Sequence, residues 1–401
     1  MSLLSVFSPA GWSGPGRAAL LAALVAAAVA AAPGAAAQTV YIAFGDSITA
    51  GSFDDDPEYN QGEEKGYPPR LEEILQSRGI QADVRNYGFP GETTLEALSR
   101  IDRVLAENPD GDALLLMEGT NDLNRISIET IVSNLRAMAR KATQAGVTPV
   151  HGTIIPRHPN NRFDGTNRVT RDLAGEIREL AHLNGRNLAD PYEVFKNQIP
   201  NAFSTLYILG GDTLHPNGAG YDALAEIWAD VLTGIDEVPP VLGDLQPYDD
   251  QQNVPTNLPV ELELFDFGEG IDTTATRLTI NGEEVAAEIT GDERKQVIRY
   301  QPPEPWHGVT YVGLEAQDRN TPPNVKTGRI VQFVPQGTQF LVGDISRDGR
   351  VDGDDLISLA LAFGTQRGMS AYRGVADLDN DDVVDGEDLA LLAANFGETS
   401  F

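Results

Sequence analysis

The sequence predicts three folded parts in series: an α/β domain, an all-β Ig-like sandwich, and a small α-helical module built on acidic loops. Three observations carry this. From residue 39 to about 235, short apolar runs alternate with segments of helical period, the pattern of a parallel sheet covered by helices. After Val238-Pro239-Pro240 the helical period disappears, and short strands are separated by Pro, Gly and Asn turns. Near the C-terminus an internal repeat appears, in which alternating carboxylates precede a Leu-rich helix. The implied boundaries are 1–37 for a leader, 38–236 for the α/β domain, 237–338 for the sandwich and 339–401 for the repeat.

The chain has 401 residues, of which 41% are hydrophobic, enough for two or three domains with cores. Its formal net charge of -31 argues against nucleic-acid and anionic-membrane binding, which need clustered Lys and Arg. There is no cysteine, which excludes disulfides, thiolate zinc sites and a Cys nucleophile. Arg17 precedes the apolar run Ala18 to Ala32, and Ala35-Ala36-Ala37 has the small side chains of a cleavage site. Residues 1–37 thus read as an export signal, with a mature chain starting at Gln38. The other reading is a retained membrane anchor, for which the run is short and alanine only weakly apolar. No later stretch reaches the ~20 apolar residues of a membrane helix. The expected location is extracellular, secreted or on the surface of a bacterial cell.

In the first domain, Thr39 to Phe44 reads as a strand. Tyr67 to Ser77 reads as a helix, with Pro68 and Pro69 in its first turn, Leu71, Ile74 and Leu75 on one face, and Gly79 as its stop. Ala82 to Tyr87 is a strand. Thr93 to Leu105 is a helix, apolar at Leu95, Leu98, Ile101 and Leu105. Asp112 to Met117 suits a strand buried on both faces. Ile128 to Ala145 is a helix ending at Gly146, Thr148 to Ile155 a strand, and Asn167 to Leu183 a helix ended by Gly185. Arg186 to Ala189 is a short strand and Gly218 to Leu232 the last helix. In the second domain, Val260, Leu262 and Leu264 alternate with Glu261 and Glu263. Asn281-Gly282 is a hairpin pair after Thr276 to Ile280. Gln296 to Tyr300, Thr310 to Ala316 and Arg329 to Val334 are further strands. Trp306, His307 and Asp318 form no clustered chemistry, so this domain reads as a spacer.

Four pieces of the first domain converge on one chemistry. Gly45-Asp46-Ser47 follows the first strand. Asn86 to Thr93 follows the second and contains Gly88 and Gly91. Gly119-Thr120-Asn121-Asp122 follows the third, and Asp212 and His215 precede the last helix. The strand ends of a parallel sheet bring such pieces to one rim. Ser47 is a nucleophile only with a base to take its proton, and His215 supplies one. Asp212, three residues earlier, can receive the other imidazole N–H. The Ser47 N–H, the Gly91 N–H and the Asn121 amide can stabilise an oxyanion. Singly, Gly-Asp-Ser is also an ordinary turn, Asn121 a helix cap, and His215 a structural histidine. The acidic, turn-rich insertion Ser52 to Gly66 is expected to border the pocket, and Ile154-Ile155-Pro156-Arg157-His158 to line its other side, with His158 a surface residue.

These pieces resemble the SGNH hydrolase, or GDSL esterase/lipase, superfamily over roughly residues 39–235. Ser47 matches its first block, Gly91 its second, Asn121 its third, and Asp212 with His215 its last. In the second block Gly88 competes with Gly91; Gly91 is preferred because Glu92-Thr93-Thr94 follows it. The resemblance implies a three-layer α/β/α flavodoxin-like fold and metal-free hydrolysis of esters or thioesters. The substrate it implies is an ester, acylated polysaccharide among the candidates; the lack of a long apolar lid favours short acyl chains. A lysophospholipase-like lipase and a non-catalytic glycan-binding or adhesion protein are the other readings.

In the C-terminal repeat, Asp344, Ser346, Asp348, Asp352 and Asp355 fall at positions one, three, five, nine and twelve of a loop. Asp377, Asp379, Asp381, Asp385 and Asp388 repeat them. Oxygen ligands at these offsets wrap Ca²⁺, with position seven giving a backbone carbonyl from Arg350 or Val383. Position six is Gly349 in the first copy and Asp382 in the second, where some strain and a weaker site are expected. The two loop–helix units resemble a type I dockerin over about residues 341–399, which implies docking to a cohesin partner. Positions ten and eleven depart from that family's pattern, being Gly353-Asp354 and Gly386-Glu387.

Overall fold

The computed structural model describes residues 38–59, 65–157, 164–185, 187–198, 206–207, 214–249, 251–338, 341–366, 372–379 and 381–399. The expected leader, His158 and Asp212 lie outside the described residues. The chain forms two compact units, the first ending at Asp236 and the second starting at Glu237.

In the first unit a parallel sheet has the order β2-β1-β3-β4-β5. Its strands are β1 (Thr39–Gly45), β2 (Ala82–Gly88), β3 (Ala113–Met117), β4 (Thr148–Gly152) and β5 (Leu188–Ala189). The helices are α1 (Tyr67–Ser77), α2 (Thr94–Glu107), α3 (Ile128–Gln144), α4 (Asp164–Leu183), α5 (Pro191–Gln198) and α6 (Gly218–Thr233). Helix α1 packs on α6, while α2, α3 and α4 pack in succession, giving two helical layers about the sheet. Every residue of β3 is buried, which is why Ala-Leu-Leu-Leu-Met carries no alternation. Thr93 lies just outside α2 and closes a capping box with Glu96, so the helix begins one residue later than its apolar pattern suggests. Ser127 and Asn217 cap α3 and α6. The strand expected to reach Ile155 stops at Gly152, because its neighbour β5 pairs over two residues only. Helix α5 was not foreseen. Its signal was Asp190-Pro191: proline fits a first helical position, and Asp190 accepts the Glu193 N–H at 3.3 Å.

In the second unit two sheets enclose a core. One has the order β10-β9-β13-β14-β7, the other β11-β12-β8-β6. The strands are β6 (Val241–Gln246), β7 (Gln251–Val254), β8 (Val260–Phe265), β9 (Arg277–Ile280), β10 (Glu283–Val285), β11 (Glu288–Gly291), β12 (Lys295–Tyr300), β13 (Thr310–Gln317) and β14 (Val325–Pro335). Val260, Leu262 and Leu264 point into the core with Ile298, Val312 and Phe333, as their alternation requires. Asn281-Gly282 makes the turn between β9 and β10. Strands β6, β7, β10 and β11 escaped the sequence reading. They lie at or next to sheet edges, and β10 and β11 bury too little to show a period-two pattern. Trp306 donates to the Leu258 carbonyl at 2.7 Å, and Asp318 accepts the Asn320 and Asn324 N–H groups, so both organise the sandwich.

The C-terminal repeat forms α7 (Gly353–Ala362) and α8 (Gly386–Ala394), with a two-residue pairing of β15 (Thr365–Gln366) and β16 (Val383–Val384). The chain after each helix returns to the other copy's loop. Gly364 N–H bonds to Val384 O, and Gly397 N–H to Val351 O, both at 2.7 Å. Val351 and Val384, at position eight of each loop, are fully buried with Leu359, Ala362 and Leu392. Position six takes the left-handed conformation in both copies, with φ 83° at Gly349 and 74° at Asp382.

Trp228 on α6 is fully buried and stacks on Tyr67 of α1, ring centroids 6.1 Å apart. Trp228→Ala should cost about 3–5 kcal/mol, read from urea unfolding followed by circular dichroism, with Trp228→Phe losing less.

Candidate active site

The sheet order reverses between β1 and β3, and ligands of open α/β sheets bind at such a point, beyond the C-terminal strand ends. The register levels those ends: Gly45 pairs with Gly88 on one side and Met117 on the other. Beyond the sheet, the Phe89 N–H donates to the Gly45 carbonyl at 2.9 Å, which extends the tie into the loop after β2. After Gly45 the chain enters a tight helical turn, with Ala50 N–H on Asp46 O at 3.0 Å and Ser52 N–H on Ser47 O at 2.9 Å. Ser47 stands at the start of this turn, 6% exposed.

His215 meets it from the other end of the domain. His215 Nε2 lies 2.9 Å from Ser47 Oγ. The histidine is fixed by what surrounds it in the chain. Pro216 bridges Tyr207, the Asn217 N–H bonds to Leu206 O at 3.0 Å, and the Gly218 N–H donates to Asp55 Oδ1 at 2.7 Å. Asp212 lies outside the described residues.

Gly91 and Asn121 meet through Glu92. The Asn121 Nδ2 donates to the Glu92 carbonyl at 2.9 Å, which fixes which way the amide points. Gly91 is exposed and left-handed, φ 81°, in the turn closed by Glu92 N–H on Phe89 O. The rival Gly88 has a different job: a Cβ there would come 2.1 Å from the Ala50 N, so it admits the turn that carries Ser47. Asp122 accepts the Thr94 N–H at 2.9 Å and the Thr94 hydroxyl at 2.8 Å, tying the third block to the start of α2.

Behind the serine lies a group of buried acids that the sequence did not reveal. Asp46 is 1% exposed and accepts the Ile48 N–H at 2.9 Å. Burial pushes its carboxyl up to about 6, against the opposing pull of the Ile48 N–H, the Thr120 hydroxyl and His215. Glu118 is fully buried on the last step before Gly119. Burial first, then the charges of Asp46 and Glu92, hold its pKa well above the usual carboxylate range. Arg100 on α2 faces this group. Its Nε donates to Glu92 Oε1 at 2.7 Å, a second nitrogen reaches Oε2, and its guanidinium lies 4.1 Å over the ring of Phe44 on β1. One cation thus joins the strand before Ser47 to the loop that carries Gly91 and orients Asn121. The i, i+8 spacing of Glu92 and Arg100 gave no sequence signal, because it crosses from loop to helix.

The acidic insertion does reach the site. The Phe53 ring centroid is 4.9 Å from that of His215. Asp54 is buried against Arg70, which bonds to Asp54 Oδ2 at 2.6 Å and to Asp222 Oδ1 on α6 at 2.7 Å. The expected opposite wall does not form from Ile154, Ile155 and Pro156. All three are buried, and the Tyr207 hydroxyl donates to the Pro156 carbonyl, because the chain after β4 stays inside the fold.

In both carboxylate loops the acidic side chains gather around backbone N–H groups. Asp344 accepts the Asp348 and Gly349 N–H groups, both at 3.0 Å, and Asp377 accepts those of Asp381 and Asp382 at 3.1 and 3.0 Å. Asp355 takes the Ser346 and Asp352 N–H groups, and Asp388 those of Leu378 and Asp385. Oxygens of Asp377, Asp379 and Asp388 lie within 4.8 Å of one another. Ser346 Oγ is buried without a hydrogen-bond partner among the described residues, at a ligand position. Asp352 and Asp385 also cap α7 and α8, accepting from Asp354 and Glu387 N–H. Burial, with Asp355 and Asp348 nearby, pushes Asp344 up to about 6.

Residues 43–223 match the model of the GDSL-like Lipase/Acylhydrolase family. This stretch is similar to that family, and the protein is a carboxylic ester hydrolase. Among solved structures, a lipase/acylhydrolase from Enterococcus faecalis is similar at 23% identity, covering 49% of this chain and 96% of its own, with a TM-score of 0.41. An aryl esterase from M. smegmatis is 19% identical over 49% of this chain and 100% of its own, TM-score 0.39. An acetylxylan esterase from Geobacillus stearothermophilus is 18% identical over 48% of this chain and 94% of its own, TM-score 0.42. No curated protein sequence matches. No helix among the described residues is long and apolar enough to cross a membrane.

Arg100→Met leaves Glu92 buried without its counter-charge and should cost about 3–5 kcal/mol in urea unfolding. Arg100→Lys keeps the charge but not the two-point contact, and should recover only part of the loss.

Proposed function

We propose that the chain is an exported serine esterase that removes short acyl groups, acetyl foremost, from polysaccharide. The 2.9 Å contact of His215 Nε2 with Ser47 Oγ carries the catalytic part of this reading. Ser47 Oγ attacks the ester carbonyl while His215 takes its proton. The imidazolium then gives that proton to the leaving alcohol, and water repeats the cycle on the acyl-enzyme. Asp212 is assigned to the other imidazole N–H. The Ser47 N–H, the Gly91 N–H and the Asn121 Nδ2 are assigned to the oxyanion, whose stabilisation is the larger electrostatic contribution. Asn121 spends one amide hydrogen on Glu92 and keeps the other for the substrate.

The preference for a neutral glycan ester over a phospholipid rests on charge. Asp55 and Glu58 are exposed in the insertion whose Phe53 lies beside His215, within a chain of net charge -31. Such a border repels anionic head groups. The C-terminal loops are assigned Ca²⁺, held by Asp344, Ser346, Asp348, Asp355 and the Arg350 carbonyl in one copy. Asp377, Asp379, Asp381, Asp388 and the Val383 carbonyl serve in the other. The ion supplies the positive charge that offsets these carboxylates; it takes no part in ester cleavage. Leu356, Ile357 and Leu361 on α7 and Leu389 on α8 are exposed, which supports docking to a cohesin-type protein.

Ser47→Ala should lower p-nitrophenyl acetate turnover by roughly 10⁴–10⁶-fold with an unchanged circular-dichroism spectrum; turnover equal to the wild type would remove the assignment. Esters from acetate to palmitate should show kcat/KM highest at the short end, and a maximum at palmitate would favour the lipase reading. EGTA should lower one melting transition. A proton competes with the cation for Asp344, so Ca²⁺ affinity measured by calorimetry should weaken as pH falls below about 6.

A further inference from the structure

We propose that Phe53 is a binding residue for the alcohol half of the ester, and that it favours alcohols that present a flat ring, pyranose or aryl. The inference rests on the esterase reading above and adds a subsite to it.

The first observation is a backbone one. Phe53 has φ 64°, in the left-handed region. There the Cβ of an L-residue crowds the following carbonyl, and only Gly, Asn and Asp visit it routinely. Among the described residues the other non-glycine examples are Asn124, Asn253, Asn281, Arg347 and Asp382. Phe53 is the aromatic exception. It is also 64% exposed, so little burial of its ring offsets the strain. Strained residues persist where their neighbours over-determine them, and they gather at functional sites.

The neighbours of Phe53 are over-determined. Before it, the Ser52 N–H bonds to Ser47 O at 2.9 Å, and the Ser52 carbonyl accepts the Tyr221 hydroxyl at 2.8 Å. After it, Asp54 accepts two Arg70 nitrogens, at 2.6 and 3.1 Å, and the Gly66 N–H at 3.1 Å. The ring therefore stands out from a fixed turn.

The direction it takes is the informative part. Its centroid lies 4.9 Å from the His215 imidazole, the planes tilted by 40°. The Nε2 of that imidazole faces Ser47 Oγ. In ester cleavage this nitrogen returns the proton to the leaving oxygen, so the leaving alcohol lies beside it. The carbonyl oxygen instead turns to the amide donors of Gly91 and Asn121. A group attached to the leaving oxygen thus passes next to Phe53, whereas the acyl chain does not have to. An exposed ring face there offers contact to the C–H face of a pyranose or to an aryl ring, and little to a short alkyl group.

Phe53→Gly tests this, because it removes the ring and relieves the left-handed backbone together. Its melting temperature should equal or exceed the wild type, which separates any kinetic change from unfolding. The readout is kcat/KM for phenyl acetate and for a monoacetylated methyl pyranoside, each divided by kcat/KM for ethyl acetate. Both ratios should fall roughly two- to tenfold, mainly through KM, and Phe53→Tyr should retain them. A fall with one ring ester alone supports the subsite and identifies the ring it takes. Unchanged ratios, or one uniform drop in kcat on all three esters, would overturn the proposal and leave Phe53 as a support for the imidazole. Wild-type protein inactive on all three esters would remove the esterase reading itself and the subsite with it, a failure seen before any variant is made.

Discussion

The register of three parallel strands sets everything else in the catalytic domain. Gly45 sits level with Gly88 and with Met117, so the loops that follow leave the sheet at one height. The crowding there is severe: a Cβ on Gly45 would come 2.1 Å from Thr49 Oγ1. A slip of one residue would move every side chain to the opposite face. Because β3 is buried on every residue, that would disrupt close packing on both faces. The loops that carry Ser47, Gly91 and Asn121 therefore leave one edge of the sheet as a consequence of core packing.

Polar groups concentrated behind Ser47 work against stability. Asp46 and Glu118 are buried with pKa values raised by that burial, and Glu92 adds a third carboxyl to the same volume. Arg100 limits the conflict by giving Glu92 a two-point partner and by lying across Phe44. The same contacts hold the loop whose Glu92 carbonyl orients Asn121. Local conflict of this kind is expected where function constrains sequence. The left-handed Phe53 on the opposite side of the serine is a second instance.

The C-terminal unit solves two stability problems differently. The sandwich buries alternating aliphatic residues between two sheets and needs no other support. The repeat has a core of few residues, centred on Val351, Val384, Leu359 and Leu392, and gathers acidic side chains around it. Its carboxylates are organised by backbone N–H groups of their own loops, in the same pattern twice. With no cysteine in the chain, disulfides cannot brace so small a module.

The sequence by itself determined most of the elements and put forward the candidate residues of the site. Apolar period placed β1, α1 and β3 within a residue, since burial on one or both faces writes its period directly into the residues. Ser47, Gly91, Asn121 and His215 were legible because each stands at a strand end or before a capped helix. Elements that bury little, such as β10 and β11, left no such trace, and α5 was readable only from Asp190-Pro191. Tertiary structure alone decided which distant side chains touch. It set the Arg100–Glu92 pair, the burial of Glu118 among other acids, the burial of Ile154 and Ile155, and the approach of Phe53 to His215. Those facts depend on how far apart groups lie in space and how little water reaches them, and neither quantity is carried by the order of residues along a chain.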